Sequence, residues 1–298
     1  MNCIICGQNS SRFFMEKDGW RLVECPNDGL IYVDPLPTNE DLMEFYNSGK
    51  YFHSDDHGVG YKDYTREKSF INMGHGLILR KISKYFSKSN IKGGPPRKLL
   101  DIGAAYGFFV ELASERGFEA MGNDISGEAV DYAKARGINV VLGKTKELGF
   151  PDGSFDVVTV LGVIEHWHDP KEEISEIYRI LKENGLLVVL TLDTGNFLGR
   201  GAVKVPEHVF YFSKKNLIKF LSSLGFKTIK TSINCTFFSI EEFFFHLFGR
   251  LFKNGSLNWL ERFFVGFARV THLDRVPLPV IDGQILFICR KEDSTKKS

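Results

Sequence analysis

The sequence predicts an α/β fold in which helices cover both faces of a mostly parallel, doubly wound sheet. From residue 98 onward, short apolar runs alternate with amphipathic helical segments in the order strand, helix, strand. One apolar run, Phe155–Leu161, is unbroken, as expected for a central strand buried on both faces. The first run leads into a glycine-containing turn that opens a helix, and such a corner often binds a nucleotide.

Composition narrows the classes of function. The chain has 298 residues, of which 43% are hydrophobic and 25% charged. This length and composition predict one folded catalytic domain with smaller attachments. A formal net charge of +1 provides no global attraction to nucleic acid, and no nucleic-acid partner is expected. We find no leader and no apolar run of about 20 residues, so we expect a cytoplasmic protein.

The N-terminal module, residues 1–37, contains three of the five cysteines. Cys3 and Cys6 form a Cys-x-x-Cys knuckle followed by glycine, and Cys25 begins a second knuckle in which Asp28 stands at the place of a fourth cysteine. Zinc accepts both thiolate and carboxylate ligands, so Cys3, Cys6, Cys25 and Asp28 form a candidate metal site. A zinc-free module that folds on its hydrophobic residues is the open alternative.

A helical linker is predicted over residues 38–92, with Thr38 as its N-cap. The break Gly93–Pro96 then opens the catalytic domain, residues 93–291, and residues 292–298 form a polar tail expected to be disordered.

The elements of the catalytic domain follow from periodicity and from their end signals. Pro170 suits the first turn of a helix, and Gly225 suits the end of another. The predicted strands are 98–102, 119–123, 139–142, 155–161, 186–192, 226–234 and 284–289, and the predicted helices are 107–116, 126–135, 170–182 and 213–224.

A phenylalanine-rich insertion, residues 236–279, separates the last two strands. Phe237, Ile240 and Phe244 begin one stripe at helical spacing, and Leu257, Leu260 and Phe264 begin another, so the insertion predicts two amphipathic helices. Three roles stay open for them: a lid, a homodimer contact, and peripheral contact with the inner face of a membrane through nearby basic residues.

The turn after the first strand carries the candidate nucleotide site. Asp101, Gly103 and Gly107 surround it, and small residues there let the backbone approach a ligand. Asp124 follows about 20 residues later, at the end of the second strand, where a carboxylate can accept hydrogen bonds from both ribose hydroxyls. A nicotinamide-binding enzyme would also explain these residues.

These residues and their spacing resemble those of class I S-adenosylmethionine-dependent methyltransferases, whose first motif is an acidic residue followed by Gly-x-Gly-x-Gly. Asp101, Gly103 and Gly107 match it, whereas Ala105 stands where the middle glycine is usual. The resemblance continues through Phe150–Val158, Val163–His166 and Leu181–Leu186. It implies a Rossmann-like seven-stranded sheet in which the last strand is antiparallel and lies between the fifth and sixth.

The resemblance also implies S-adenosylmethionine as the cofactor and assigns residues to it. Asp101 and Gly103 would lie against the methionine part, Asp124 would hold the ribose, and Ile125 would pack on adenine. Leu161 and Gly162 would line the sulfonium, and Thr145 stands near the place of an adenine-binding acid found in many relatives. The cofactor set is therefore Asp101, Gly103, Ala105, Gly107, Asp124, Ile125, Thr145, Leu161 and Gly162.

Methyl transfer is an in-line displacement, and a base is needed when the acceptor must lose a proton. Two loops after neighbouring strands can supply one. Glu165 and His166 stand in the first, and His208 stands in the second and is the preferred candidate. His168 is interpreted as a solvated loop residue.

An N-terminal cysteine-knuckle module before such a domain resembles a bacterial subfamily in which some members methylate sugars or sugar nucleotides. The sequence therefore predicts an enzyme that methylates a small molecule, on a hydroxyl of a sugar, glycolipid or related metabolite. A protein or nucleic-acid methyltransferase and a catalytically idle cofactor-binding scaffold are the alternatives.

Overall fold

The computed structural model describes residues 1–38, 63–86, 95–244 and 276–292, together with residues 263, 266–268, 270–271 and 274. The strands are β1 (Arg12–Lys17), β2 (Trp20–Glu24), β3 (Ile31–Val33), β4 (Lys98–Ile102), β5 (Glu119–Asp124), β6 (Val140–Leu142), β7 (Phe155–Leu161), β8 (Leu181–Leu192), β9 (Phe210–Tyr211), β10 (Phe226–Ile233), β11 (Thr236–Phe238), β12 (Leu278–Val280) and β13 (Gln284–Lys291). The α-helices with defined bounds are α1 (Lys68–Ser83), α2 (Phe108–Glu115), α3 (Gly127–Lys134), α4 (Pro170–Ile180), α5 (Phe197–Arg200) and α6 (Lys214–Ser223).

The main sheet has seven strands in the order β10-β13-β8-β7-β4-β5-β6. Strands β4 to β8 are parallel to one another, and β13 is antiparallel to both of its neighbours, β8 and β10. The predicted Rossmann-like sheet, with an antiparallel last strand between the fifth and sixth, is confirmed.

Burial explains why the apolar runs form the centre of this sheet. Residues 155–160 of β7 are all buried, and two apolar clusters cover the two faces of the sheet. Helix α4 begins where predicted, because the Asp169 carboxylate accepts the backbone N–H groups of Lys171 and Glu172, both at 3.0 Å. Its apolar side, Ile174, Ile177 and Ile180, is fully buried against the sheet.

Strand pairing moved several predicted boundaries. Helix α4 ends at Ile180, two residues early, and β8 begins at Leu181 and not at residue 186, because Leu181 pairs with Phe155. Phe237 lies in a strand and not in a helix, because Thr236–Phe238 pairs with Leu278–Val280 and closes the base of the insertion.

Most of the helix-spaced residues of the insertion, including Leu257, Leu260 and Phe264, lie outside the described residues. Phe263 and Phe267 are described, and their exposed fractions are 62% and 57%. Contact of this insertion with a membrane surface or a second copy stays a prediction. Within the described parts of the chain, no helix combines the length and the apolar character that crossing a bilayer requires.

The N-terminal module is joined to the catalytic domain by a strand that the sequence did not reveal. Strands β1, β2 and β3 form an antiparallel sheet, and β9 adds to its edge, with Ile31 opposite Tyr211 and Tyr32 opposite Phe210. Tyr32 and Phe210 share one apolar cluster with the sheet of the catalytic domain. Because β9 follows directly after His208, the module supports a loop of the candidate site.

Candidate active site

Three turns meet at the carboxyl edge of the main sheet. Strand β4 lies between β5 and β7, and Ile102 is in register with both Asn123 and Val160. The turn after β4, Asp124 at the end of β5, and Gly162 after β7 therefore begin at the same level. This is the edge where ligands of open α/β sheets bind.

The turn after β4 contains three left-handed residues, Gly103 (φ +69°), Ala105 (φ +48°) and Gly107 (φ +76°). A Cβ atom on Gly103 would lie 2.6 Å from Val163 Cγ2, so a side chain there would collide with the loop after β7. A Cβ on Gly107 would lie 2.7 Å from Ile138 Cγ2. Gly103 thus lets the turn after β4 lie close to the loop after β7, whereas Gly107 lets the start of α2 pack closely on Ile138.

Asp124 connects this turn to the next helix. Its Oδ2 atom accepts the backbone N–H of Ala105 at 2.8 Å, and its Oδ1 atom accepts that of Ser126 at 2.9 Å. Burial raises the pKa of the carboxyl group. Each carboxylate oxygen keeps a further lone pair for a ligand hydroxyl. The neighbouring Ile125 is 37% exposed, so an apolar surface is available beside it.

Asp101 lies beneath the turn, in the body of β4. It is almost fully buried, and Thr159 Oγ1 of the adjacent strand donates to its Oδ1 at 2.5 Å. Burial raises the pKa of Asp101 to about 7. A ligand ammonium group near this carboxyl would favour its ionised form.

The other predicted cofactor residues differ in access. Thr145 is buried, and its hydroxyl accepts a hydrogen bond from Asn123 Nδ2 at 3.4 Å, so its contact with adenine stays a prediction. Leu161 is half-buried at the end of β7. Gly162 has φ +71°, and open space surrounds the position that its Cβ would take.

Glu165, His166 and His208 are brought together by two loops on the same edge. The two imidazole rings meet edge to face, with centroids 4.6 Å apart. Burial lowers the pKa of His166 to about 4 and that of His208 well below its ordinary value, with the charge of Lys204 acting in the same direction. Burial raises the pKa of Glu165 to about 7, and Thr191 Oγ1 donates to its Oε2 at 2.9 Å. His168, two residues further on, is exposed.

Backbone bonds hold the two loops in this arrangement. The Val209 N–H donates to the carbonyl of Glu165 at 2.8 Å, and the Val33 N–H donates to the carbonyl of Val209 at 3.0 Å. The His208 N–H donates to the carbonyl of Lys204 at 2.8 Å. Sequence reasoning missed Thr159 and Thr191, since a single threonine within an apolar strand gives no signal of its partner.

The predicted metal ligands of the N-terminal module also converge. One donor atom from each of Cys3, Cys6, Cys25 and Asp28 lies within 4.8 Å of all the others. Cys6 Sγ is 3.6 Å from Cys25 Sγ, and Cys3 Sγ is 3.8 Å from Asp28 Oδ2. The Gly7 and Gly29 N–H groups each close a turn by donating to the carbonyls of Cys3 and Cys25, at 2.8 Å. This donor set fits a tetrahedral zinc site.

Comparison with known proteins identifies the class. Residues 100–189 match a family model described as a methyltransferase domain. An uncharacterized protein of Methanocaldococcus jannaschii is 34% identical over 144 residues, which cover 46% of this chain and 68% of the relative. A probable S-adenosylmethionine-dependent methyltransferase of Mycolicibacterium smegmatis is 30% identical over 138 residues, covering 45% and 54%. A ubiquinone/menaquinone biosynthesis C-methyltransferase of Geotalea daltonii is 27% identical over 154 residues, covering 48% and 63%.

A solved structure agrees on the fold. The crystal structure of the YcgJ protein from Bacillus subtilis superposes with a TM-score of 0.50 at 20% identity, covering 75% of this chain and all of that one. The chain belongs to the S-adenosylmethionine-dependent methyltransferases of class I fold, and S-adenosylmethionine is the cofactor of that family. The matched regions span 68%, 54% and 63% of the lengths of the three curated relatives.

Proposed function

We propose that this protein transfers the methyl group of S-adenosylmethionine to a hydroxyl of a small molecule, such as a sugar, a glycolipid or a related metabolite. The observation that supports this proposal is the group of Glu165, His166 and His208 on the same edge as the cofactor turn, in which Glu165 and His208 are buried and His166 is half-buried. Ionisable groups whose pKa values are shifted by burial often mark functional sites.

The cofactor occupies the turns after β4, β5 and β7 in this proposal. Its methionine part lies toward Asp101 and Gly103, its ribose hydroxyls donate to Asp124, and its adenine packs on Ile125. The sulfonium lies at Gly162, where the left-handed backbone leaves open space. Glu165 follows Gly162 by three residues in the chain, so the acceptor enters between the sulfonium and the two histidines.

The reaction needs an aligned nucleophile and a way to remove one proton. An acceptor oxygen attacks the methyl carbon as the carbon–sulfur bond breaks, and S-adenosylhomocysteine leaves as a neutral thioether. A buried imidazole is neutral at pH 7 and can accept the hydroxyl proton before passing it to water. His208 is the preferred base because Glu165 and His166 belong to a pattern that recurs in the family irrespective of substrate.

Carbon methylation is the second candidate, because the relative from Geotalea daltonii is named as a C-methyltransferase. A phenol or enol that loses its proton can attack through carbon as well as through oxygen, so the same base serves both reactions. Incubation with methyl-labelled S-adenosylmethionine and a panel of sugars, glycolipids and hydroquinones, with NMR of the product, separates them. A methyl ether on a sugar or glycolipid supports the proposal, whereas a carbon-bound methyl group on a hydroquinone favours the second candidate.

Replacement of His208 by alanine should lower turnover by at least about a hundredfold while changing cofactor affinity by less than about threefold. The reason is that His208 lies on the acceptor side and is remote from the ribose and adenine positions. Steady-state kinetics with the identified acceptor and calorimetry with S-adenosylhomocysteine measure the two quantities. His168→Ala is the matched control, since His168 is an exposed histidine of the neighbouring loop. Equal turnover in His208→Ala and the parent would remove His208 from the chemistry.

We also propose that Cys3, Cys6, Cys25 and Asp28 hold a structural zinc ion. Asp28 is already fixed, because its carboxylate forms an ion pair with Lys219 and its carbonyl accepts from Asn216 Nδ2 at 3.5 Å. Burial raises the pKa of the Cys3 thiol, and a bound zinc ion would offset this by stabilising the thiolate.

Protein purified without chelator should contain about one tightly bound zinc ion per chain at this cluster. Elemental analysis after buffer exchange measures it. The Cys25→Ser variant should lose the ion, whereas Cys235→Ser should keep it, because Cys235 lies outside the cluster. Equal zinc content in the two variants would show that the knuckles hold no metal.

A further inference from the structure

We propose that Glu165, His166 and His208 bind a divalent transition-metal ion that holds an oxygen of the methyl acceptor. The presence of the ion is independent of the proposed function, and only its role toward the acceptor rests on that function. This site lies in the catalytic domain and is separate from the cysteine cluster of the N-terminal module.

The geometry of the three side chains suits one ion. Each offers one donor atom, and the three atoms lie within 4.8 Å of one another. Donor atoms bound to one ion at about 2.0–2.2 Å lie about 3 Å apart, so small side-chain rotations bring these three into contact with an ion. Two imidazoles and one carboxylate leave coordination positions open for substrate.

The partners of the side chains also suit a metal. The His166 ring hydrogen-bonds with the backbone of Gly162 and Glu207, which orients the imidazole, as partners of metal ligands commonly do. Lys204 lies 3.9 Å from the carboxylate of Glu207, which offsets its repulsion of a bound cation.

Glu165 is the carboxylate ligand of the set. Its side chain is buried, and buried carboxylates are usually paired with a cation or coordinate a metal. The hydrogen bond from Thr191 Oγ1 fixes the direction of the carboxylate, as partners of metal ligands commonly do.

The fold itself positions the three ligand residues. Glu165 and His166 lie on the 3-10 turn Ile164–His166, which follows β7 after Gly162 and Val163. His208 directly precedes Val209, whose N–H donates to the Glu165 carbonyl. Strand β9 anchors the second loop to β3 of the N-terminal module. Backbone hydrogen bonds that involve two sheets therefore fix the positions of the three ligand residues.

The position of the three residues indicates the role of the ion. The trio lies beyond Gly162 on the cofactor edge, so an open coordination position can hold an acceptor hydroxyl near the methyl group. A bound cation lowers the pKa of a coordinated hydroxyl, whose proton passes to water. The resulting oxygen attacks the methyl carbon, the carbon–sulfur bond breaks, and neutral S-adenosylhomocysteine leaves. With the ion bound, His208 is a metal ligand and the proton passes to water, whereas in the metal-free protein His208 keeps the role of base.

Titration of the metal-free protein with Co²⁺, followed by absorption spectroscopy, tests the site. A cobalt ion on thiolates shows a near-ultraviolet charge-transfer band, whereas a cobalt ion on imidazole and carboxylate shows only weak visible bands. Cobalt on thiolates also absorbs in the visible, so the titration is repeated on Cys25→Ser, in which the visible bands of the imidazole and carboxylate site stand alone. Calorimetry with S-adenosylhomocysteine on the same samples reports the cofactor site separately.

We expect a set of visible bands without thiolate character that saturates at about one Co²⁺ per chain. Glu165→Gln and His208→Ala should each weaken this uptake by at least about tenfold. Both variants should keep the thiolate band if the knuckles bind cobalt. Their affinity for S-adenosylhomocysteine should stay within about threefold of the parent value. His168→Ala should bind cobalt as the parent does.

Absence of these bands in folded parent protein that binds S-adenosylhomocysteine would overturn the metal site and leave the proposed methyl transfer standing. The same bands retained in both Glu165→Gln and His208→Ala would place the ion elsewhere and would equally overturn the assignment. Glu165→Gln preserves the size of the side chain, so it remains informative if His208→Ala fails to fold.

Discussion

Replacement of Asp124 by alanine is expected to weaken S-adenosylmethionine binding by at least about tenfold. The carboxylate would lose its hydrogen bonds from the ribose hydroxyls, which are strengthened by its charge. The structure adds a second reason, because the same carboxylate accepts the N–H groups of Ala105 and Ser126. Without it, the turn after β4 and the start of α3 lose their common anchor.

Calorimetry with S-adenosylmethionine measures this loss, and thermal unfolding measures any accompanying change in stability. Asp131→Ala is the matched control, because Asp131 is an exposed aspartate on helix α3 of the same domain. Its affinity should stay within about twofold of the parent value. Unchanged affinity in Asp124→Ala would remove Asp124 from the cofactor site.

Gly103→Val should abolish measurable cofactor binding and lower the free energy of unfolding by about 2–5 kcal/mol. The backbone at Gly103 has φ +69°, which a β-branched residue adopts only under strain. Its Cβ would also lie 2.6 Å from Val163 Cγ2, so the loop that carries Glu165 and His166 would have to move.

Denaturant unfolding and calorimetry of Gly103→Val test both parts of this expectation. Gly127→Val is the control, because a Cβ at Gly127 meets no atom within 4 Å and its backbone lies outside the left-handed region. A folded Gly103→Val protein that binds S-adenosylhomocysteine as tightly as the parent would show that the cofactor does not approach this turn.

The catalytic domain could be predicted from the sequence because its signals are local. The unbroken run of β7 reflects burial on both faces, and Pro170 marks the start of α4. The antiparallel position of β13 came from the resemblance and not from periodicity. Boundaries failed where long-range pairing decided them, as at Leu181 opposite Phe155 and at Phe237 opposite Pro279.

The candidate site was predictable only in part. Glycines and acids at strand ends are visible in the sequence, and the resemblance assigned them to parts of the cofactor, which stays a prediction for each residue. The contact between the rings of His166 and His208 could not, because it depends on β9, a strand of two residues paired with the N-terminal module. The burial that makes both histidines neutral is a property of that packing.

Titration of the unmodified protein with S-adenosylmethionine in a calorimeter shows whether the chain binds the cofactor. We expect saturable binding of about one cofactor molecule per chain, with S-adenosylhomocysteine competing for the same site. Absence of saturable binding by folded protein, or binding that S-adenosylhomocysteine does not displace, would contradict the assignment of the β4, β5 and β7 edge as a cofactor site.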